Sequence, residues 1–364
     1  MKRIQTSFFL IFLTLGLSAQ SLWIQPKHYS VHKVAEPIII DGKNLESAWN
    51  QAEWTDDFID IEGDKRPKPY LKTRVKMIWD TSYLYFFAEL EEPHIWANIT
   101  KRDEVIFYDN DFEIFIDPNG DTHNYFELEI NALNTVWDLM LTKPYRDGGD
   151  AIDNWDIKGL KSAVNLSGSI NNPNDIDQGW SIEIAIPLEV LKEGSNVKVP
   201  PREGDVWRIN FSRVQWETEI IDNKYLKKKV AGTDKNLPEN NWVWSEQREI
   251  AMHEPEFWGM LYFSETKSDE SIAIDFDKDL NNEKVKQALY QIHRAQVVYR
   301  NKEKVFIKNK KLLIERSQLP SNREFKWELT SNGLMYWVKM TSPLTEGIIW
   351  YIDHTGLIRK KLKQ

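Results

Sequence analysis

The stretch YDNDFEIFIDPNGD, residues 108–121, crowds acidic side chains among large apolar ones. Three chemistries suit such a pattern. Two of its carboxylates could serve glycoside hydrolysis, which needs a separation of about 5–5.5 Å for retention or 6.5–9.5 Å for inversion. Asp117, Asn119 and Asp121 follow a D-x-N-x-D spacing with Gly120 easing the turn. That spacing suits calcium, although the later Glu and the flanking helices of an EF-hand loop are missing. A hairpin turn rich in Asx residues needs the same residues and no metal. In the third chemistry the stretch walls a sugar site. Carboxylates and amides then bond vicinal hydroxyls while aromatic faces cover the apolar C–H faces of the ring.

The elements that carry these residues narrow the choice. Strand alternation puts Phe112, Ile114 and Ile116 on one face and Glu113, Phe115 and Asp117 on the other. In the following strand Phe126, Leu128 and Ile130 oppose Glu127, Glu129 and Asn131. The apolar sets belong against a second sheet. The opposite faces form a carboxylate-rich surface, joined by Trp137 and Asp138 from the next strand.

Further strands are predicted at 74–79, 83–90, 135–141, 180–186, 206–214 and 257–263, with a hairpin turn at Asp80-Thr81-Ser82. Helical patterns are confined to single turns near 45–51 and 188–192. Residues 34–264 therefore read as an antiparallel, jelly-roll-like β-sandwich. A polar linker, 265–280, leads to residues 281–364, a small α+β appendage. Its helix carries Val285, Ala288, Leu289, Ile292, Ala295 and Tyr299 at helical spacing, and strands follow at 325–329, 334–340 and 347–352. The class is mainly β.

Bulk properties exclude several functions. Among 364 residues, 47 Lys and Arg face 56 Asp and Glu, so nucleic acid is not an expected partner. The chain has no Cys. Disulfides, thiol nucleophiles, thiolate metal sites and c-type haem attachment are thereby excluded. His94, His123, His253 and Met252 are the candidate axial ligands if haem bound, and haem is not expected. Lys2 and Arg3, the apolar run 8–17 and Leu17-Ser18-Ala19 read as a signal peptide over residues 1–19. The run is too short for a membrane span of about 20 residues. Export to the periplasm or beyond is expected, with no transmembrane segment left after cleavage.

Ile39-Ile40-Asp41-Gly42 with Glu46, Ala48 and Trp49 resembles the opening of carbohydrate-binding family 9 domains. The stretches 75–93, 109–117, 179–187, 206–213, 243–247 and 257–263 are similar, in order, to the rest of that family's pattern. The resemblance implies a β-sandwich, often calcium-bearing, that binds sugar and accompanies polysaccharide-degrading enzymes in carbohydrate catabolism. Its wider group includes haem-binding and redox-associated sandwiches, which form the alternative reading beside a glycosidic hydrolase; no catalytic domain is recognisable next to the sandwich. By the resemblance, Glu113 stands where a carboxylate contacts sugar hydroxyls. The two Trp that clamp a terminal sugar in xylanase-linked members fall on Phe107 and Met252, and the sugar-binding Arg falls on Glu129. Asn131, Trp137, Arg213 and Trp244 complete the expected carbohydrate site, with Trp96 and Arg146 as further candidates. Asp117, Asn119 and Asp121 form the expected calcium site.

Overall fold

The computed structural model describes residues 23–36, 38–265, 276–319 and 324–363. The expected signal peptide and most of the expected linker lie outside these residues.

The first region holds β1 (His28–Lys33), β2 (Ile59–Asp60), β3 (Thr73–Trp79), β4 (Tyr83–Glu91), β5 (Asp111–Asp117), β6 (Tyr125–Asn131), β7 (Val136–Leu141) and β8 (Ala151–Ile152). It continues with β9 (Lys161–Ser167), β10 (Gly179–Pro187), a helical turn α1 (Leu188–Leu191), β11 (Val206–Gln215), β12 (Thr218–Ile221), β13 (Lys224–Lys227), β14 (Asn240–Val243) and β15 (Gly259–Ser264). All but the separate β12–β13 hairpin join one hydrogen-bonded sheet of order β8-β7-β6-β5-β11-β15-β1-β3-β4-β10-β9, with β14 branching from β11 to β2. The sheet curls over itself as a sandwich. One leaf runs from β8 to β15 and the other from β3 to β9.

The join between the leaves departs from the antiparallel expectation. β1 runs parallel to β15, pairing Tyr29 with Leu261, and also parallel to β3, pairing His32 with Ile78. β1 precedes the expected boundary at residue 34, and its mixed sequence HYSVHK carries no clear alternation.

Alternation accounts for the interior. Phe112, Ile114 and Ile116 of β5 and Phe126, Leu128 and Ile130 of β6 are buried together with Phe86 and Ala88 of β4 and Ile182 and Ile184 of β10. Phe211 of β11 is the hub, parallel to Phe112 with centroids 5.9 Å apart and edge-on to Phe86 at 5.8 Å. Burying each such ring contributes about 1.5–3 kcal/mol.

Two turns follow from side-chain chemistry. Asp80 Oδ1 accepts the amides of Ser82 and Tyr83, each at 2.7 Å, which closes β3 onto β4. On the outer side of the second leaf, Glu183 Oε2 accepts the Asp41 and Gly42 amides and its Oε1 accepts Trp49 Nε1. Gly42 has φ +84°, and a Cβ there would lie 2.8 Å from the Asn165 backbone nitrogen. The I-D-G…W opening and the S-I-E-I-A-I-P strand are therefore two halves of one interlock.

The second region contains α2 (Phe276–Glu303), α3 (Lys310–Ser317) and an antiparallel sheet of β16 (Lys326–Ser331), β17 (Tyr336–Thr341), β18 (Ile348–Asp353) and β19 (Ile358–Leu362). Residues 276–280, expected as linker, are helical. The basic C-terminal end supplies the edge strand β19, where charged side chains suit an exposed edge. Val285, Leu289 and Ile292 of α2 pack on Val338, Met340, Trp350 and Ile352.

The other flank of α2 faces the sandwich through polar groups. Gln287 exchanges two hydrogen bonds with the Ile24 backbone. Tyr290 bonds Thr122, and Arg208 pairs with Glu283. His293 reaches Asp147 at 2.9 Å from one ring nitrogen and Tyr336 from the other. No helix among the described residues is long and apolar enough to cross a membrane.

Candidate functional site

On the first leaf, the face opposite the core is covered rather than solvated. Every residue of β5 and β6 is buried. Register builds the site. Ser212 of β11 pairs with Glu113 of β5, Glu113 with Glu129 of β6, and Glu129 with Trp137 of β7, so four side chains form a row across four strands. The next row places Phe115 beside Glu127 and Leu139. Phe115 does not reach the open: with Tyr125, Leu139, Leu141 and Trp258 it makes a small apolar cluster, against which Trp137 and Met252 pack.

Above these rows lies a cleft of about 300 Å³. Glu113, Glu127 and Glu129 line it together with Trp137. Phe107 and Val214 stand on one side, and Tyr145, Met252 and His253 belong to the loops that cover the leaf. Phe107 sits in the one-turn helix Ile106–Tyr108, and its amide donates to Glu129 Oε2 at 3.0 Å. The Met252–His253 segment is held from below. Trp258 Nε1 donates to the Met252 carbonyl at 3.1 Å, and Tyr125 Oη bonds His253 Nδ1 at 3.0 Å. Arg146 grips both oxygens of Glu256, at 2.9 and 3.0 Å, while Arg294 of α2 shares that carboxylate and Glu254. The C-terminal region thus buttresses one wall of the cleft.

The electrostatics are one-sided. Burial pushes the Glu113 carboxyl up to about 7. Burial, and then the negative charge of Glu113, raise Asp111, Glu127 and Glu129 well above the usual carboxylate range. Like charges directly opposite on paired strands destabilise a sheet. Burial also lowers His253, to about 4, helped by the nearby Arg146, so the imidazole is neutral at pH 7. Four buried polar atoms here have no hydrogen-bond partner among the described residues: Asp111 Oδ2, Glu113 Oε2, Ser212 Oγ and Trp137 Nε1.

Of the expected carbohydrate-site residues, the structure brings Phe107, Glu113, Glu129, Trp137 and Met252 to one cleft and leaves three outside it. Trp244 lies in the sandwich core against Phe211, seated over Gly259, where a Cβ would come within 2.2 Å of its ring. Arg213 shares the parity of Phe211 and so points inward. It is almost wholly buried, bonding Gln215, Thr73, the Glu91 carbonyl and Glu92. Asn131 spends its amide on closing the β6–β7 turn and on Asp109. Trp96 does not line the cleft; it packs with Trp216 in a cluster that includes Val214 and Phe107, which do. Glu127 was legible on the same alternating face as Glu129. Tyr145 and His253 stand in loops and carry no spacing signal.

The D-x-N-x-D turn does not fit calcium. Asp117 Oδ1 and Oδ2 accept the Gly120 and Thr122 amides, Asn119 Oδ1 accepts the Asp121 amide, and Asp121 accepts the His123 amide and Asn119 Nδ2. The positive charges beside Asp117 are the partly buried Lys286 and the buried Arg208 of this chain. Lys286 is brought there by α2, so a protein ammonium supplies the charge that a cation would supply.

Comparison with known proteins agrees with the architecture. Residues 40–265 match the family described as carbohydrate family 9 binding domain-like. An exoglucanase, XynX of Acetivibrio thermocellus, is 26% identical over 149 residues, covering 41% of this chain and 11% of that protein. Endo-1,4-beta-xylanase A of Thermoanaerobacterium saccharolyticum is 28% identical over 149 residues, with the same coverage of each chain. The chain thus spans about a tenth of the length of the curated relatives it matches. A family 9 carbohydrate-binding module from Caldicellulosiruptor kristjanssonii, solved with cellotriose, has 18% identity and a TM-score of 0.42, covering 68% of this chain and 98% of that one. The same organism's module solved with glucose has 17% identity and a TM-score of 0.43, covering 67% and 98%. With the match running through both leaves of the sandwich, this chain belongs to the carbohydrate family 9 binding domain-like family.

Proposed function

We propose that the chain is an exported, non-catalytic glycan-binding protein whose cleft takes the end of a β-linked glucan or xylan. The observation that carries this reading is the row Glu113–Glu129–Trp137 with Phe107 across from it, inside a domain of a carbohydrate-binding family. Carboxylates accept from vicinal hydroxyls in charge-assisted bonds, and Trp137 and Phe107 offer apolar faces to the ring. The unpartnered Trp137 Nε1 is a donor suited to a ring or hydroxyl oxygen. Met252 replaces a stacking surface by a thioether that fills irregular space, so one aromatic wall suffices here.

The reading includes action alongside polysaccharide-degrading enzymes, supported by the names of the curated relatives, an exoglucanase and an endo-1,4-beta-xylanase. Calorimetry of the mature chain with glucose, cellotriose and xylotriose tests the reading. Saturable binding of at least one of them is expected, and no heat from any glycan of a broad panel would overturn it.

A further inference from the structure

Beneath the cleft, Asp111 and Glu113 of β5 and Glu129 of β6 each turn a carboxylate oxygen toward the others. The three oxygens lie within 4.8 Å of one another. Asp111 is 0% exposed, Glu113 3% and Glu129 2%. Three carboxyl groups gathered in such burial must be neutralised, by protons or by a positive charge beside them. Among the described residues none of the three forms an ion pair, and the His253 imidazole, 4.0 Å from the neighbouring Glu127, is neutral at pH 7. Two oxygens are moreover left over. Asp111 Oδ1 accepts the Val214 amide at 3.2 Å, but Oδ2 has no partner, and Glu113 Oε2 has none.

The contrast with the second acidic group of the sandwich is informative. Asp103, Asp138 and Asp156 also converge, but Arg102 donates to Asp138 and Asp156, and the Ile157 amide donates to Asp138. That group has its cation built in. The cleft group does not.

We infer that Asp111, Glu113 and Glu129 form a binding site for a divalent, oxygen-preferring cation, calcium in the first instance, at the floor of the cleft. Oxygens that share one calcium ion lie no farther apart than about twice the 2.3–2.6 Å bond length, and the three oxygens, all within 4.8 Å of one another, meet that limit. A set with oxygen donors alone favours calcium over zinc, whose sites are built mostly on nitrogen and sulfur. Three carboxylates leave part of a six- to eight-fold shell open. Glu113 and Glu129 line the cleft, so the open positions face it. Resting on the proposed glycan site, a pair of vicinal hydroxyls would complete the shell, and the cation would become part of sugar recognition.

The test uses the whole chain, stripped with a chelator. Terbium is titrated with excitation of Trp137, which pairs with Glu129, and calcium is titrated by calorimetry. Expected are terbium emission that calcium abolishes and a single calcium site, weakened about tenfold or more in Glu129→Gln. Glu129→Gln keeps the oxygen that accepts the Phe107 amide, so the variant folds. No binding at millimolar calcium overturns the inference. So does binding unchanged in Glu129→Gln but lost in Asp121→Asn, or displacement of terbium by glucosamine instead of calcium. Glycan titrations with and without chelator form the second arm. Calcium binding with no glycan binding in either condition leaves the cation site standing and sinks the proposed function. Glycan affinity equal in both conditions overturns the hydroxyl-completed shell.

Discussion

Glu113 and Glu129 stand directly opposite each other on β5 and β6, both buried, and neither forms an ion pair among the described residues. A carboxylate pair in this register opposes folding unless something else occupies the site. In a chelating buffer, Glu129→Gln is therefore expected to raise stability by about 0.2–1 kcal/mol, read as an upward shift in the urea midpoint without a change in slope. A lowered midpoint would mean that the pair is held together by a shared proton worth more than its repulsion.

Trp137 and Trp244 separate a cleft residue from a core residue. Trp244→Ala empties space between Phe211 and Gly259 and should cost about 3–5 kcal/mol. The folded fraction of that variant should bind glycan as before. Trp137→Ala should do the reverse, with a small loss of stability and a large loss of affinity. Denaturation curves and calorimetry on the two variants decide the matter, and equal loss of binding in both would contradict the placement.

The family's opening motif has a structural reason that mutation can reach. Glu183→Ala strands the Trp49 indole N–H and the Asp41 and Gly42 amides on the second leaf. An unsatisfied buried donor costs about 1–3 kcal/mol, so a loss of at least that size is expected, with glycan affinity of the folded protein unchanged. Thermal unfolding is the readout; a change below a few tenths of a kcal/mol would remove the interlock as an explanation of the motif.

His253 supplies a pH prediction. Its folded pKa, about 4, lies below the ordinary 6.5, so between these values the unfolded chain binds the proton and the folded chain does not. Its contribution to stability is complete above pH 6.5 and falls away as pH drops toward 4. The imidazole Cε1–H resonance, assigned with His253→Asn, should stay at its neutral position through pH 5. A titration midpoint near 6.5 would contradict the buried, Tyr125-bonded ring.

Much of this was legible in the sequence because period-two alternation is strict in β5, β6 and β10. Phe112, Ile114 and Ile116 declared a core, and Glu113 and Glu129 a face. Arg213 was misplaced although the same rule applied, since parity with Phe211 turns it inward. What alternation could not show is what covers a face. The carboxylates were expected on an open surface, and they are buried because loops 250–258 and the α2 buttress close over them. Those contacts join residues more than a hundred positions apart, such as Arg146 with Glu256 and Asp147 with His293, through polar groups that carry no periodic signal. The charge that faces the D-x-N-x-D turn was hidden for the same reason. Lys286, which supplies its positive charge, is 165 positions beyond Asp121.

The most direct test of the account is calorimetric titration of cellotriose and xylotriose into the wild-type chain and Glu113→Gln side by side. The account predicts saturable binding by the wild type to at least one of the two and a weakening of about tenfold or more in the variant, corresponding to the loss of a charge-assisted hydrogen bond of about 1.5–3 kcal/mol. Equal affinity in both proteins would contradict it, because the cleft on β5 and β6 would then not be where the sugar sits.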